Sequence, residues 1–137
     1  MGSDHAGFKL KEKLKKFLEK KGVKVEDIGT YTNDPVDYPI YAEKVTKLVK
    51  KKKLKGILIC GTGTGMCMAA NRVKGIRATT VYDNYSCVMS RKHNDANVIC
   101  LRSRRFSSRF EKGLVWKWLN TEFSKIDRHK RRIRMLG

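Results

Sequence analysis

Acidic residues are scarce in this chain: 13 Asp and Glu stand against 32 Lys and Arg, leaving a formal net charge of +19. Proline is rarer still, with two residues, and no Gly/Ser linker, internal repeat or low-complexity stretch interrupts the 137 residues. A repeat array or a string of linked modules is thereby excluded. The length suits one domain with one core. No apolar run reaches membrane-spanning length and no basic-then-apolar leader opens the chain. The expectation is a soluble, cytoplasmic protein with no membrane partner. The four cysteines, Cys60, Cys67, Cys87 and Cys100, contain no CxxC pair, which argues against a zinc site or a dithiol redox centre.

The excess of positive charge invites a polyanion partner. Its distribution argues otherwise. Lys9, Lys11, Lys13, Lys15, Lys16, Lys20 and Lys21 lie around one amphipathic helix, and Lys50 to Lys53 lie at a helix end. These read as solvated faces, and no recognised nucleic-acid motif accompanies them. No specific nucleic-acid function is expected, only weak, salt-sensitive binding to polyanions.

The most informative stretch is Gly56-Ile57-Leu58-Ile59 followed by Cys60-Gly61-Thr62-Gly63-Thr64-Gly65. The apolar run has the length and β-branching of a buried strand. The glycines allow close backbone approach to a ligand. Met66, Ala69, Ala70 and Val73 then recur at helical spacing. A thiol therefore sits at a strand's carboxyl end, beside a loop and helix start that can hold an anion. Open α/β sheets bind ligands at such places.

Around this stretch, helices and strands alternate. Leu10, Leu14, Phe17 and Leu18 mark a first helix, closed by Gly22 at C′. Val23, Val25 and Ile28 alternate as a short strand, and a polar loop follows to Pro39. Tyr41, Ala42, Val45, Leu48 and Val49 mark a second helix. Strands are expected over 56–60, 76–82 and 97–101, and helices over 65–73 and 84–92. Ser108-x-x-Glu111 reads as a capping box opening a helix through Leu119. The basic stretch 125–137 is an arm or a final helix. Such alternation implies a mostly parallel sheet. A βαβ unit begins with a strand, yet the segment before the first helix, Met1 to Gly7, reads as loop. The expectation is a sheet whose first strand, beside 56–60, is missing.

Several motifs, taken in order, resemble the type B ribose-5-phosphate isomerase family, which includes galactose-6-phosphate isomerase subunits. They are Gly2-Ser3-Asp4-His5-Ala6-Gly7-Phe8, Asp37-Tyr38-Pro39, Gly56 through Asn71, Lys74-Gly75-Ile76-Arg77-Ala78, Ser90 through Asn97, Trp118-Leu119, and Arg128-His129 with Arg132. The resemblance implies a single sugar-phosphate isomerase domain over 1–137 with a Rossmann-like three-layer α/β sandwich. It also implies no cofactor or metal, and a homodimer or dimer of dimers with sites at the subunit interface. The implied reaction interconverts ribose 5-phosphate and ribulose 5-phosphate through a cis-enediolate. The alternatives are a hexose-6-phosphate (galactose or allose) isomerase of the same family and a non-catalytic sugar-phosphate or polyanion binder.

The resemblance also assigns roles. Cys60 is the base at C2. Another branch of the family carries a glutamate where this chain has Met66, so Met66 places the chain in the cysteine branch. Gly61, Thr62, Gly63, Thr64 and Gly65 form the anion hole, with the Thr62 hydroxyl adding a hydrogen bond. His93 and Asp4 open the furanose ring, and Asn94 contacts substrate. Arg104, Arg128 and Arg132 clamp the phosphate, with His5 and His129 as further contacts. Tyr38 lines the pocket or packs its own turn. Across the interface, His93, Asn94 and Arg104 are expected to face Asp4 and residues 60–65 of the other subunit. Each residue has a plainer reading: a buried strand cysteine, a helix-capping glycine turn, a surface histidine, a basic tail.

Overall fold

The computed structural model describes residues 1–137. Four strands form one parallel sheet: β1 (Gly2–Ser3), β2 (Gly56–Cys60), β3 (Ala78–Thr80) and β4 (Val98–Arg102), in the order β1-β2-β4-β3. Six helices accompany them: α1 (Phe8–Lys20), α2 (Tyr38–Lys52), α3 (Thr64–Asn71), α4 (Asn84–Lys92), α5 (Ser108–Leu119) and α6 (Asp127–Met135).

All five residues of β2 are buried, because both faces of the sheet are covered. This is why it reads as a continuous apolar run rather than an alternating one. On one face Leu14, Leu18, Ile59, Ile99, Leu101, Leu114 and Trp118 join α1 and α5 to the sheet. On the other, Val45, Val49, Leu58, Cys60, Met66, Val98 and Cys100 join α2 and α3 to it. The result is the expected three-layer α/β sandwich.

The expectation of a missing first strand is corrected in part. Gly2 and Ser3 pair in parallel with Leu58 and Ile59 of β2, so the start of the Gly2–Phe8 motif is itself strand. The expected strand over Val23 to Ile28 does not form. That segment instead runs beside β1: the Ile28 N–H donates to Met1 O, the Ser3 N–H to Gly29 O and the Thr30 N–H to Ser3 O. These bonds satisfy backbone groups that burial would leave costly. The third strand is shorter than 76–82: it pairs with β4 only over Ala78 to Thr80.

Local chemistry sets the helix ends. Gly22 follows α1 with φ +78°, as a C′ glycine should. Asp83 caps α4 by accepting the Ser86 N–H at 2.7 Å. The capping box at Ser108 is also corrected. Ser107 is the cap and accepts the Phe110 N–H at 3.2 Å. Glu111 is then one residue too far along to reach back.

Glu111 instead turns inward. It is fully buried, and neither carboxylate oxygen has a partner. Burial raises its pKa to about 7, against the opposing charge of Arg102. The unfolded chain ionises Glu111 near its ordinary value, so stability is full below about pH 4.5 and is lost as pH rises through about 7. We expect Glu111→Gln to remove on the order of 2 kcal/mol of this pH dependence. Urea midpoints of both proteins at pH 5 and pH 8 check it, and parallel midpoints would contradict it.

Lys11 departs from the solvated-lysine reading. Its side chain is wholly buried, with Nζ 2.5 Å from Asp27 and 2.7 Å from Glu12. It ties α1 to the segment running beside β1.

Candidate active site

Parallel strands bring their carboxyl ends to one edge of the sheet, and there β1 and β2 deliver Asp4 and Cys60. Asp4 is buried; its N–H donates to Ile59 O at 3.1 Å and its carboxylate accepts the Gly7 N–H at 2.9 Å. The carboxylate is therefore fixed at the end of β1, leading into α1.

Cys60 is buried, and the Gly63 N–H donates to its sulfur at 3.1 Å. An N–H aimed at sulfur stabilises negative charge there. The turn that allows this needs glycine at 63: φ is +82°, and a Cβ would lie 2.9 Å from the Thr80 side chain and 3.1 Å from the Leu101 backbone. The first turn of α3 adds N–H groups that no helix carbonyl takes. Thr62 Oγ1 accepts one of them, from Thr64, at 3.3 Å. Met66 is fully buried beneath the loop.

Two side chains border the loop from other elements. A Cβ at Gly65 would meet the Tyr38 ring at 2.8 Å, so Tyr38, at the start of α2, lies against the loop. A Cβ at Gly61 would meet the Arg104 guanidinium at 3.3 Å, and the Arg104 N–H donates to Gly61 O at 3.2 Å. Arg104 thus joins Cys60 within one chain, where it was expected to approach from the other subunit. The cause is strand pairing: Cys60 sits opposite Arg102 in the β2–β4 register, which puts position 104 beside the glycine loop. His5 is half-buried and close by in sequence. Its Nδ1 accepts the Val36 N–H at 3.2 Å, which leaves Nε2 as the outward ring atom.

His93, Asn94, Arg128 and His129 form a second group. The His93 and His129 ring centroids are 4.5 Å apart. His129 is buried, its Nδ1 is 2.8 Å from Ser124 Oγ, and the Arg128 Nε–H points at its Nε2 at 3.4 Å. With Nε2 accepting, Nδ1 carries the proton. Burial lowers the pKa of His129, and His93, Arg128 and Arg132 add to that. Arg132 is exposed on α6.

One chain does not unite the two groups. The turn carrying Asn94 is bonded by Arg77, which immediately precedes β3. The second group therefore lies at the amino edge of the sheet, and Cys60 at the carboxyl edge. β4 alone separates those edges by about 13 Å at ~3.3 Å per residue. Neither of two concavities, of about 410 and 510 Å³, is lined by residues 60–65, although Asn94 lines the second.

Sequence reasoning missed two neighbours of the loop. The Ser103 N–H and Oγ both donate to Cys60 O, at 2.9 and 3.1 Å. Tyr82 OH donates to Thr62 O at 3.5 Å. Both residues reach the loop through strand order, which no local pattern encodes.

The fold and the site define a class: an open parallel α/β protein with a strand-end thiol, a buried carboxylate and an amide-rich loop at one edge. Comparison with known proteins is narrower. The sequence profile described as Ribose/Galactose Isomerase matches residues 1–136, and the chain belongs to that family. It is 41% identical over 133 residues to ribose-5-phosphate isomerase B of Escherichia coli strain K12, covering 96% of this chain and 89% of that protein. A crystal structure of a ribose 5-phosphate isomerase from Thermotoga maritima matches with a TM-score of 0.95 at 45% identity, over 98% of this chain and 93% of that one. The type B ribose 5-phosphate isomerase of Trypanosoma brucei matches with a TM-score of 0.92 at 40% identity, over 98% and 93%. No helix here is long and apolar enough to cross a membrane.

Proposed function

We propose that this chain is an aldose–ketose isomerase that interconverts ribose 5-phosphate and ribulose 5-phosphate. The observation that carries the reading is the Cys60 sulfur, held by the Gly63 N–H at the carboxyl end of β2, in a family whose relatives above carry that name.

The geometry at the Cys60 loop supports the following chemistry. Cys60, as thiolate, takes the C2 proton of the open-chain aldose. The electron pair moves into a C1–C2 double bond and negative charge develops on O1. The N–H groups of the Gly61–Gly65 loop that are not already bonded to Cys60 Sγ or Thr62 Oγ1, together with the Thr62 hydroxyl, stabilise that charge. Returning the proton to C1 while the O2–H proton passes to O1 gives the ketose, with no net change of oxidation state. Asp4 and His93 exchange protons with the ring oxygen and anomeric hydroxyl to open the furanose. Arg104, Arg128, Arg132 and His5 hold the phosphate and hydroxyls, Asn94 orients the sugar, and Tyr38 walls the pocket. His129, with both ring nitrogens engaged by Ser124 and Arg128, packs against His93 instead of reaching the phosphate.

The separation of the two groups within one chain supports a homodimer, alone or paired, in which each site combines one copy's Cys60 loop with the other copy's His93 turn. A cytoplasmic location accords with a phosphorylated substrate. Turnover of ribose 5-phosphate, measured beside galactose 6-phosphate and allose 6-phosphate, tests the proposal. We expect the pentose to have the highest kcat/KM. A preference for either hexose would move the chain to the alternative substrate, and no turnover by folded protein would leave a binding role.

A further inference from the structure

The turn that carries His93 and Asn94 is held by a side-chain clamp that the mechanism does not use. Asp95 sits just beyond them with φ +45°. Its Oδ1 accepts from Arg91 at 2.8 Å and its Oδ2 from Arg77 at 3.1 Å. The Arg77 Nε–H lies between the carbonyls of Asn94 and Asp95, at 3.1 and 3.0 Å. Arg91 also donates to Ala96 O at 2.6 Å and to Thr121 O at 3.1 Å, and its guanidinium lies over Trp118 at 5.6 Å. Two planar forks from different elements thus converge on one four-residue turn, and one carboxylate joins them.

We infer that Asp95, with Arg77 and Arg91, is a positioning group that aims the His93 ring at the sugar's ring oxygen in the other subunit's site. This rests on the isomerase reading and on His93 as the ring-opening group. A turn at a helix end otherwise frays, and a ring displaced by 1 Å at the point of proton transfer loses about 100-fold in rate. The charge on Asp95 matters because it orients two arginines at once. Its side chain touches no reacting atom.

The test separates ring opening from proton transfer. Ribulose 5-phosphate has no free 5-hydroxyl, so it stays acyclic. Deuterium uptake at its C1 in heavy water needs the base but no ring chemistry. Asp95→Asn is a clean variant, since Asn accepts positive φ readily. We expect it to lower conversion of ribose 5-phosphate about 10-fold or more while C1 exchange is largely kept. Arg77→Lys, which keeps the charge but loses the fork, should behave likewise, and His93→Ala should show the same split more strongly. Wild-type conversion by Asp95→Asn, with His93→Ala defective, would overturn the inference. So would equal loss of conversion and exchange with a lowered melting temperature, which marks a merely structural role. If His93→Ala shows no split, the ring-opening assignment fails, and the inference falls with it.

Discussion

Replacing Cys60 by Ala is expected to lower turnover of ribose 5-phosphate by about 10²–10⁴-fold, the usual contribution of a positioned general base. Removal of the sulfur leaves the loop's amides in place, so a bound sugar phosphate still meets its anion hole and its arginines. Binding of the substrate should survive nearly unchanged. Exchange of the C1 proton of ribulose 5-phosphate with solvent should stop, because the proposal gives that proton transfer to Cys60 alone. Cys60 contributes a small side chain to the α2–α3 side of the core, and alanine leaves only a minor void. The variant should fold. Normal turnover in a folded Cys60→Ala protein would end the assignment of the base.

The second large effect falls on KM. Arg132 lies exposed on α6, one helical turn from Arg128. A charge-assisted bond from guanidinium to phosphate is worth about 1.5–3 kcal/mol, or roughly 10- to 100-fold in affinity. Arg132→Ala should raise KM by that factor and weaken inhibition by inorganic phosphate in step, with kcat changed far less. Its exposure means that the melting temperature should not move. An unchanged KM would take Arg132 out of the clamp and leave Arg104 and Arg128 to hold the phosphate.

Much of the fold is legible in the sequence where burial is strong and local. β2 announces itself because both its faces are covered, and Gly22 marks the end of α1 because a left-handed C′ position favours glycine. What was not legible depends on distant pairing. Gly2 and Ser3 become strand only because β2 offers them an edge. Val23 to Ile28 has strand-like alternation, but Val23 bonds back to Leu18 and Ile28 reaches Met1, with Gly29 and Thr30 beyond it bonding Ser3. Lys11 looks like one lysine among seven, until Asp27 folds across it. Glu111 looks like half of a capping box, until Ser107 takes the cap and the carboxylate turns into the core.

The candidate site divides in the same way. Asp4, Tyr38, Cys60 through Gly65 and Arg104 gather at one edge, with Arg104 coming from the same chain through the β2–β4 register. His93, Asn94, Arg128 and His129 gather at the other edge. Sequence order brings the motifs into one list, but a parallel sheet sends strand ends and helix ends to opposite sides.

Mixing two inactive variants tests the account most directly. Cys60→Ala and His93→Ala are unfolded together, refolded as a mixture and assayed with ribose 5-phosphate. If each site joins Cys60 of one copy to His93 of the other, half the dimers are hybrids, and each hybrid has one intact site. The mixture should recover about a quarter of the wild-type activity, while each variant alone stays near zero. Refolded dimers with no recovered activity would show that the two groups do not share a site across the interface.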